Sequence, residues 1–175
     1  MPALYRFAAR LLAGLIGFTG AAFGADDPFG DEATVLTEAQ LIAHAASVFA
    51  RVDQDRDGWL DQEEFAAERI ISAQLARLSR RVPIDAEETV HLVVPREVPS
   101  SMERGERLTL TNIARNEHAA RAGGAPGLDQ AAFAEIMVEE FLTADRDFDG
   151  VLQADELRLF ARLMAGDISA VYTAS

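Results

Sequence analysis

The chain has 175 residues, and its formal charge of −13 makes it strongly acidic. A negative field opposes binding to nucleic acid and to anionic lipid, and it raises the local concentration of cations. The chain contains no cysteine, which excludes disulfide bonds and a cysteine-linked lipid anchor. Its length is sufficient for one compact domain with its own core.

The first 24 residues have the pattern of a secretory signal peptide. Arg6 and Arg10 precede an apolar run from Leu11 to Phe23, and small residues lie before Ala25. The run is shorter than the roughly 20 apolar residues of a membrane span, which leaves a retained signal anchor as the weaker alternative. We therefore expect cleavage before Ala25, a periplasmic or secreted protein without a stable membrane span, and a single domain over residues 25–175.

The next predicted element is an amphipathic helix over about residues 38–52. Thr37 is a suitable N-cap, and Gln40 completes a capping box with it. His44 is predicted to face away from the apolar stripe of this helix. The stripe consists of Leu41, Ala45, Val48, Phe49 and Val52.

A short acidic segment, DQDRDGWLDQEE, follows this helix from Asp53 to Glu64. Asp stands at positions 1, 3 and 5 of the segment, Gly at position 6, an aliphatic residue at position 8 and Glu at position 12. The same pattern recurs 92 residues later as DRDFDGVLQADE, from Asp145 to Glu156. A hard cation with six to eight oxygen ligands needs a short, sharply turning segment of this kind. Both segments resemble the calcium-binding loop of the EF-hand family.

The resemblance implies two calcium sites. The three Asp residues would give one oxygen each, the carbonyl of position 7 another and the Glu two, while position 9 acts through a water and Gly permits the turn. The first site would then use Asp53, Asp55, Asp57, Trp59, Asp61 and Glu64, with Gly58 at the turn. The second would use Asp145, Asp147, Asp149, Val151, Gln153 and Glu156, with Gly150 at the turn.

The ligand set favours calcium over magnesium, because magnesium requires a smaller octahedral site and retains its waters. Lanthanide ions are the alternative, since they are hard and of similar size, and the first loop has five acidic ligand candidates against four in the second. Lanthanide-selective EF-hand proteins resemble one another in having proline at position 2, which the first loop lacks. Charge alone predicts the tighter site in the first loop.

An exit helix after the first loop completes the first hand, over about residues 37–82, with a predicted apolar stripe of Phe65, Ile71, Leu75 and Leu78. The insert, about residues 83–127, carries no family signature. Pro83 is a predicted helix stop, residues 89–94 a strand, and residues 103–122 a helix ended by Gly123 and Gly124. The insert could be an ordered cap, a partly disordered linker or a surface for a protein partner.

The second hand covers about residues 128–166, with Asp129 as the N-cap of a helix over residues 130–144. The predicted fold is therefore mainly α: a pair of EF-hand helix-loop-helix units separated by a long insert. The stripe of the entering helix is Phe133, Ile136, Met137 and Phe141, and that of the exit helix is Leu157, Phe160, Ala161 and Met164.

Loops in EF-hand proteins pair through a short antiparallel bridge. We expect Leu60 to pair with Leu152, which would join the two full loops directly. The alternative uses the apolar stretches before the entering helices, around Leu36 and Leu128, as degenerate half-loops.

No catalytic pattern accompanies the metal loops, so we do not expect an enzyme. The three histidines, at positions 44, 91 and 118, are not at a metal or catalytic spacing, and neither a nucleophile motif nor a phosphate loop is present. Two functions remain open. The protein could be a calcium sensor or buffer, or it could be a structural or adaptor protein that holds calcium constitutively and binds a partner through the insert.

Overall fold

The computed structural model of the chain describes residues 30–86 and 89–173. The signal peptide expected at residues 1–24 lies outside these ranges. Within them the chain is mainly helical, as predicted, and none of the helices is long and apolar enough to cross a bilayer. The helices are α1 (Glu38–Val52), α2 (Gln62–Ser79), α3 (Arg104–Ala122), α4 (Gln130–Ala144), α5 (Asp155–Met164) and α6 (Ile168–Thr173). The strands are β1 (Asp31–Glu32), β2 (Val35–Thr37), β3 (Arg81–Pro83), β4 (Val90–Val93) and β5 (Val151–Gln153).

The strands form two small sheets. In the first, β4 lies between β1, to which it is parallel, and β3, to which it is antiparallel. Gly30 lies directly before β1, close to the backbone of Thr89 before β4. Its φ is 86°, and a Cβ there would lie 2.3 Å from the Thr89 carbonyl oxygen. Only glycine tolerates both the backbone conformation and this close approach. The second sheet pairs β2 with β5 in antiparallel fashion.

Both predicted N-caps are confirmed. The Thr37 side chain accepts a hydrogen bond from the Gln40 amide, and the Gln40 side chain accepts one from the Thr37 amide, which completes the capping box. The Asp129 side chain accepts a hydrogen bond from the Ala132 amide at 2.8 Å. Satisfying the free amides of the first turn defines where these helices begin.

The apolar stripes of α1, α4 and α5 form the core, as predicted. α1 packs against α4, and the rings of Phe49 and Phe133 lie 6.2 Å apart. Phe65, from α2, meets the edge of Phe133 at 6.3 Å. One expectation for α1 was wrong: His44 does not face away from the core but is buried, with 5% of its surface exposed.

The predicted stripe of α2 is also wrong beyond Phe65. Ile71, Leu75 and Leu78 are 54%, 58% and 75% exposed. The buried face of α2 consists mainly of small side chains, because α3 packs along this helix and alanine permits a close approach between two backbones. Its buried residues are Phe65, Ala66, Ala73, Ala76 and Arg77.

Arg77 is fully buried and joins three elements. Its Nε atom donates to the Ala165 carbonyl at 2.7 Å, and its guanidinium also donates to the Gly166 carbonyl at 2.9 Å and to the Glu106 carboxylate at 3.0 Å. These bonds tie α2 to the end of α5 and to α3. A buried guanidinium is tolerated because its donors are satisfied in this way.

The insert is an ordered part of the domain in the ranges described. The predicted strand is β4 and the predicted helix is α3, which ends at Gly123 in the left-handed conformation. The preceding helix ends at Ser79, before the predicted stop at Pro83, which lies in β3. Gln62 and Glu63 of α2 both bond to Arg115 of α3. The insert therefore packs on the exit helix of the first hand as a cap.

A charged cluster links α2, α3 and α4 beneath this cap. Arg69 forms a two-pronged ion pair with Glu140, with one N–O distance of 3.1 Å. Burial opposes the charge on Arg69, but the Glu140 carboxylate together with those of Glu68 and Glu117 outweighs that effect and holds the pKa of Arg69 above its ordinary value. Burial raises the pKa of Glu68 and of Glu117, because desolvation disfavours a carboxylate.

We predict that Glu68→Gln stabilises the protein near neutral pH. A carboxyl with a raised folded-state pKa contributes stability below its unfolded pKa, and this contribution is lost as the pH rises through the folded-state pKa. Glutamine retains an acceptor for the Ser72 hydroxyl, which bonds Glu68 at 2.8 Å. The gain should be on the order of 1 kcal/mol at pH 7 and should shrink toward pH 4.5.

Thermal unfolding of the variant and of the wild-type protein between pH 4.5 and 8 measures this difference. Glu135→Gln, at an exposed position of α4, is the matched control and should show no comparable trend. A gain for Glu68→Gln that is the same at every pH would contradict the assignment of its cost to ionisation.

Candidate metal centre

The two acidic loops occupy equivalent places in the fold. The first lies between α1 and α2, and the second between α4 and α5. In each, the helix before the loop ends at the first predicted ligand, where the Asp53 amide donates to the Phe49 carbonyl at 3.0 Å and the Asp145 amide donates to the Phe141 carbonyl at 2.9 Å. The side chain at position 1 is thereby fixed to the last turn of a packed helix.

Each loop turns sharply at its predicted glycine. Gly58 and Gly150 have φ angles of 86° and 82°, in the region that favours glycine. Position 4 of each loop is also left-handed, with φ angles of 61° at Arg56 and 59° at Phe148. These turns bring the alternate Asp side chains to one side of the chain.

Backbone amides orient the carboxylates identically in the two loops. The amides of Gly58 and Gly150 each donate to the Oδ2 atom of the Asp at position 1, at 3.1 Å. Glu64 accepts from the amides of positions 2 and 9, at 3.0 and 3.1 Å. Glu156 accepts from the corresponding amides at 2.9 and 3.2 Å. Both glutamates at position 12 therefore fold back over their loops.

The carboxylates converge on a point in each loop. Within the first loop, oxygens of Asp53, Asp55 and Glu64 lie within 4.8 Å of one another. Within the second, oxygens of Asp145, Asp147 and Asp149 do so. Three carboxylates this close repel one another unless a cation lies between them.

One buried oxygen in each loop indicates where a cation would bind. The Oδ1 atoms of Asp53 and Asp145 are buried and have no hydrogen-bond partner among the residues that the structure describes. A buried carboxylate oxygen without a donor is costly. A hard cation bound in each loop would satisfy the Oδ1 atom of that loop. The residues present therefore fit calcium.

The predicted ligands at position 5 match between the two loops, whereas those at position 9 differ. The Oδ1 atoms of Asp57 and Asp149 accept hydrogen bonds from the amides of Trp59 and Val151 at 2.8 Å. The second oxygen of each carboxylate is left to bind a metal ion. Asp61 is the N-cap of α2, and its Oδ1 atom accepts from the amides of Glu63 and Glu64. Its counterpart Gln153 is exposed and ends β5.

The expected pairing of the two full loops is wrong, and the alternative is correct. Leu60 bridges to Leu128, and Leu152 pairs with Leu36 in the β2–β5 sheet. Each loop thus pairs with the segment that precedes the entering helix of the other hand, which we call reciprocal pairing. It requires no direct bridge between positions 8 of the two loops.

Two residues that support the first loop were not recognised from the sequence. A Cβ at Gly127 would lie 2.3 Å from the Leu60 carbonyl oxygen and 3.2 Å from the Trp59 Cβ. His118, buried on α3, donates from Nε2 to the same carbonyl at 3.0 Å. A glycine within a GGAPG stretch resembles an ordinary turn, and a lone histidine in a helix gives no signal of its partner.

Comparison with known proteins identifies the loops and their flanking helices. The family model described as EF hand matches residues 45–67 and 137–161. These two matches support an EF-hand family for the chain and indicate calcium binding. No curated protein and no solved structure matches it.

We predict that Gly127→Ala weakens metal binding at the first loop without altering a ligand. The methyl group would push Leu60 and Trp59 away from Leu128, at a cost of about 1–3 kcal/mol, and would break the bridge that holds position 8. Calcium affinity of the first site should fall about tenfold, which corresponds to 1.4 kcal/mol.

Isothermal titration of the variant with calcium checks this expectation. Gly105→Ala is the control, because a Cβ there meets nothing within 4 Å and the residue lies in a helix, which tolerates alanine well. Unchanged affinity at both sites in Gly127→Ala would show that the bridge does not support the first loop.

Proposed function

We propose that this protein binds calcium at both loops and acts without enzymatic activity as an exported calcium buffer or sensor. The observation that carries the proposal is the pair of buried Oδ1 atoms on Asp53 and Asp145, which have no hydrogen-bond partner in the described part of the chain. They occupy the same position in both loops, beside converging carboxylates. The predicted signal peptide supports export to the periplasm or beyond the cell.

The arrangement of the ligands favours calcium. The six side chains and carbonyls proposed for each loop supply only oxygen, and the glutamate at position 12 can bind through both of its atoms. Magnesium prefers a compact octahedral site that keeps several waters. Lanthanide ions share the ligand preference of calcium, and they remain the second metal class for the first loop.

Binding should be coupled to the order of the helices. The acidic side chains of each loop repel one another without a cation, and this repulsion acts on helices that begin and end at the ligands. Reciprocal pairing extends the effect, since the first loop bridges to the segment before α4 and the second to the segment before α1. Ordering one loop therefore also orders the entering helix of the other hand.

The buffer role is favoured over a sensor that opens its core. The apolar stripes of α1, α4 and α5 are buried against one another, so exposing them would cost core burial at about 25 cal/mol per Å². A structural or adaptor role is the second candidate. It is favoured by the exposed apolar side chains Ile71, Leu75 and Leu78 on α2, because clustered apolar surface often marks a contact with a partner.

We predict a saturable change in Trp59 emission as calcium is added in excess magnesium. Trp59 is the only tryptophan, and it provides the carbonyl at position 7 of the first loop. A change at micromolar calcium would indicate a buffer or sensor, whereas a change only near millimolar would indicate a constitutive structural ion. No saturable change with calcium would reject the first site.

We further predict that Glu64→Gln and Glu156→Gln each abolish tight binding at their own loop. Each variant removes the bidentate carboxylate, which should weaken that site by a factor on the order of 100 if a charged ligand contributes about 3 kcal/mol. Calorimetry of both variants isolates each remaining site. Charge predicts that Glu156→Gln, which retains the first loop, binds calcium more tightly than Glu64→Gln.

Thermal melting with and without calcium tests the coupling to helix order. The helical signal and the melting temperature should both rise with calcium, and either single variant should lower the gain by more than half because of reciprocal pairing. Melting curves that do not respond to calcium would reject the coupling, even if the titrations show binding.

A further inference from the structure

A groove in the described part of the chain borders the second metal loop, since Gln153, Ala154 and Asp155 contribute to its lining. It has a volume of about 720 Å³ and lies between β4, the turn from β1 to β2, and the start of α5. Its apolar lining includes Ala33, Leu92, Val94 and Leu157, of which the last three belong to the core. The groove is therefore a stable feature with a preformed apolar floor.

One strand edge in this groove is open. The β3–β4 register pairs Val82 with Leu92, and the Val94 amide donates to the Arg80 carbonyl. Residues 91 and 93 consequently direct their amides and carbonyls toward the β1 side. β1 stops there, since its last bond runs from the Ala33 amide to the His91 carbonyl. The β1–β4 register ends at the pair of Glu32 and His91, so Val93, which lines the groove, lies beyond the last residue of β4 that pairs with β1.

Charged side chains surround this open edge without pairing. Arg96 and Arg158 line the groove and are exposed, and neither forms an ion pair or side-chain hydrogen bond within the described residues. Most ion-paired arginines in the domain join helices, as Arg69, Arg77 and Arg115 do. Each of these two exposed guanidinium groups can donate charge-assisted hydrogen bonds to a carboxylate that enters the groove.

We propose that this groove binds the C-terminal end of an extended peptide. The peptide would add to the open edge of β4 at Val93, and its terminal carboxylate would pair with Arg96 and Arg158. The edge of β4 is occupied up to His91, because the Ala33 amide donates a hydrogen bond to the His91 carbonyl. A strand added at Val93 cannot continue past that point, so a chain terminus fits better than the middle of a chain.

The acidic side chains at the groove predict which residues precede the C-terminus of the peptide. Glu32 and Asp155 also line the groove, are exposed and pair with no described residue. They would repel a second acidic group and attract a basic one. The favoured peptide is therefore extended, ends in a free carboxylate and carries lysine or arginine before an apolar residue that fits the floor.

A library of fluorescent pentapeptides with free C-termini tests this assignment, using the full-length protein in saturating calcium. Fluorescence anisotropy should identify the peptides that bind. Amidation of their C-termini should lower their affinity at least about tenfold, because one or two charge-assisted hydrogen bonds are lost. Arg96→Gln and Arg158→Gln should each weaken the free-acid peptides several-fold and remove the preference over the amidated forms.

Arg104→Gln provides the matched control. Arg104 is an exposed arginine at the start of α3 that also lacks an ion pair within the described residues, and it does not line the groove. Its replacement should leave peptide binding unchanged. Equal binding of free-acid and amidated peptides, equal losses in all three arginine variants, or the absence of any binder at millimolar peptide would each overturn the assignment. Calcium titration of the same samples tests the metal centres independently.

Discussion

The structure depends on the reciprocal pairing of the two loops. Leu60 and Leu152 are both fully buried, and their partners Leu128 and Leu36 are buried as well. Each bridge satisfies the backbone at position 8 of a loop and removes apolar side chains from water at the same place. Because the partner segment lies directly before an entering helix, the bridge also sets where that helix begins. A metal loop and a helix of the other hand are thus joined through one pair of residues.

The insert reinforces this arrangement on one side only. α3 lies along α2 and reaches the first loop through His118, whose ring also lies 6.1 Å from that of Phe65. Arg115 and Arg77 join the same two helices at opposite ends, through Glu63 and Glu106. The second loop is held by a three-residue strand pair. The two sites therefore have similar ligands but different mechanical support.

The sequence was sufficient where the determinants are local. The N-caps and the stripes of α1, α4 and α5 depend on residues within a few turns of one another, and the structure has each of these elements where the pattern indicated. Prediction failed where burial depends on a distant partner. The exposed side of α2 was misjudged because alanines and Arg77, rather than large apolar residues, face α3. The pairing of the loops was misjudged because both leucine pairs are equally apolar, and only the path of the chain selects between them.

The difference in support extends to the start of the exit helix in each hand. In the first loop, Asp61 caps α2 and Glu64 closes the same capping box, so the exit helix begins on side chains that are already held in place. In the second, α5 begins after Ala154, which has a φ of 44° and provides no side-chain cap. Glu156 is nevertheless held by the amides of Arg146 and Gln153, so the difference lies at the start of the exit helix and not at position 12. Asp155 and Leu157, the neighbours of Glu156, line the groove beside β4, so the second loop and the groove share a boundary. The exit helix of the first hand is thus anchored by the side chains of its own loop, whereas that of the second hand follows a strand that pairs with β2.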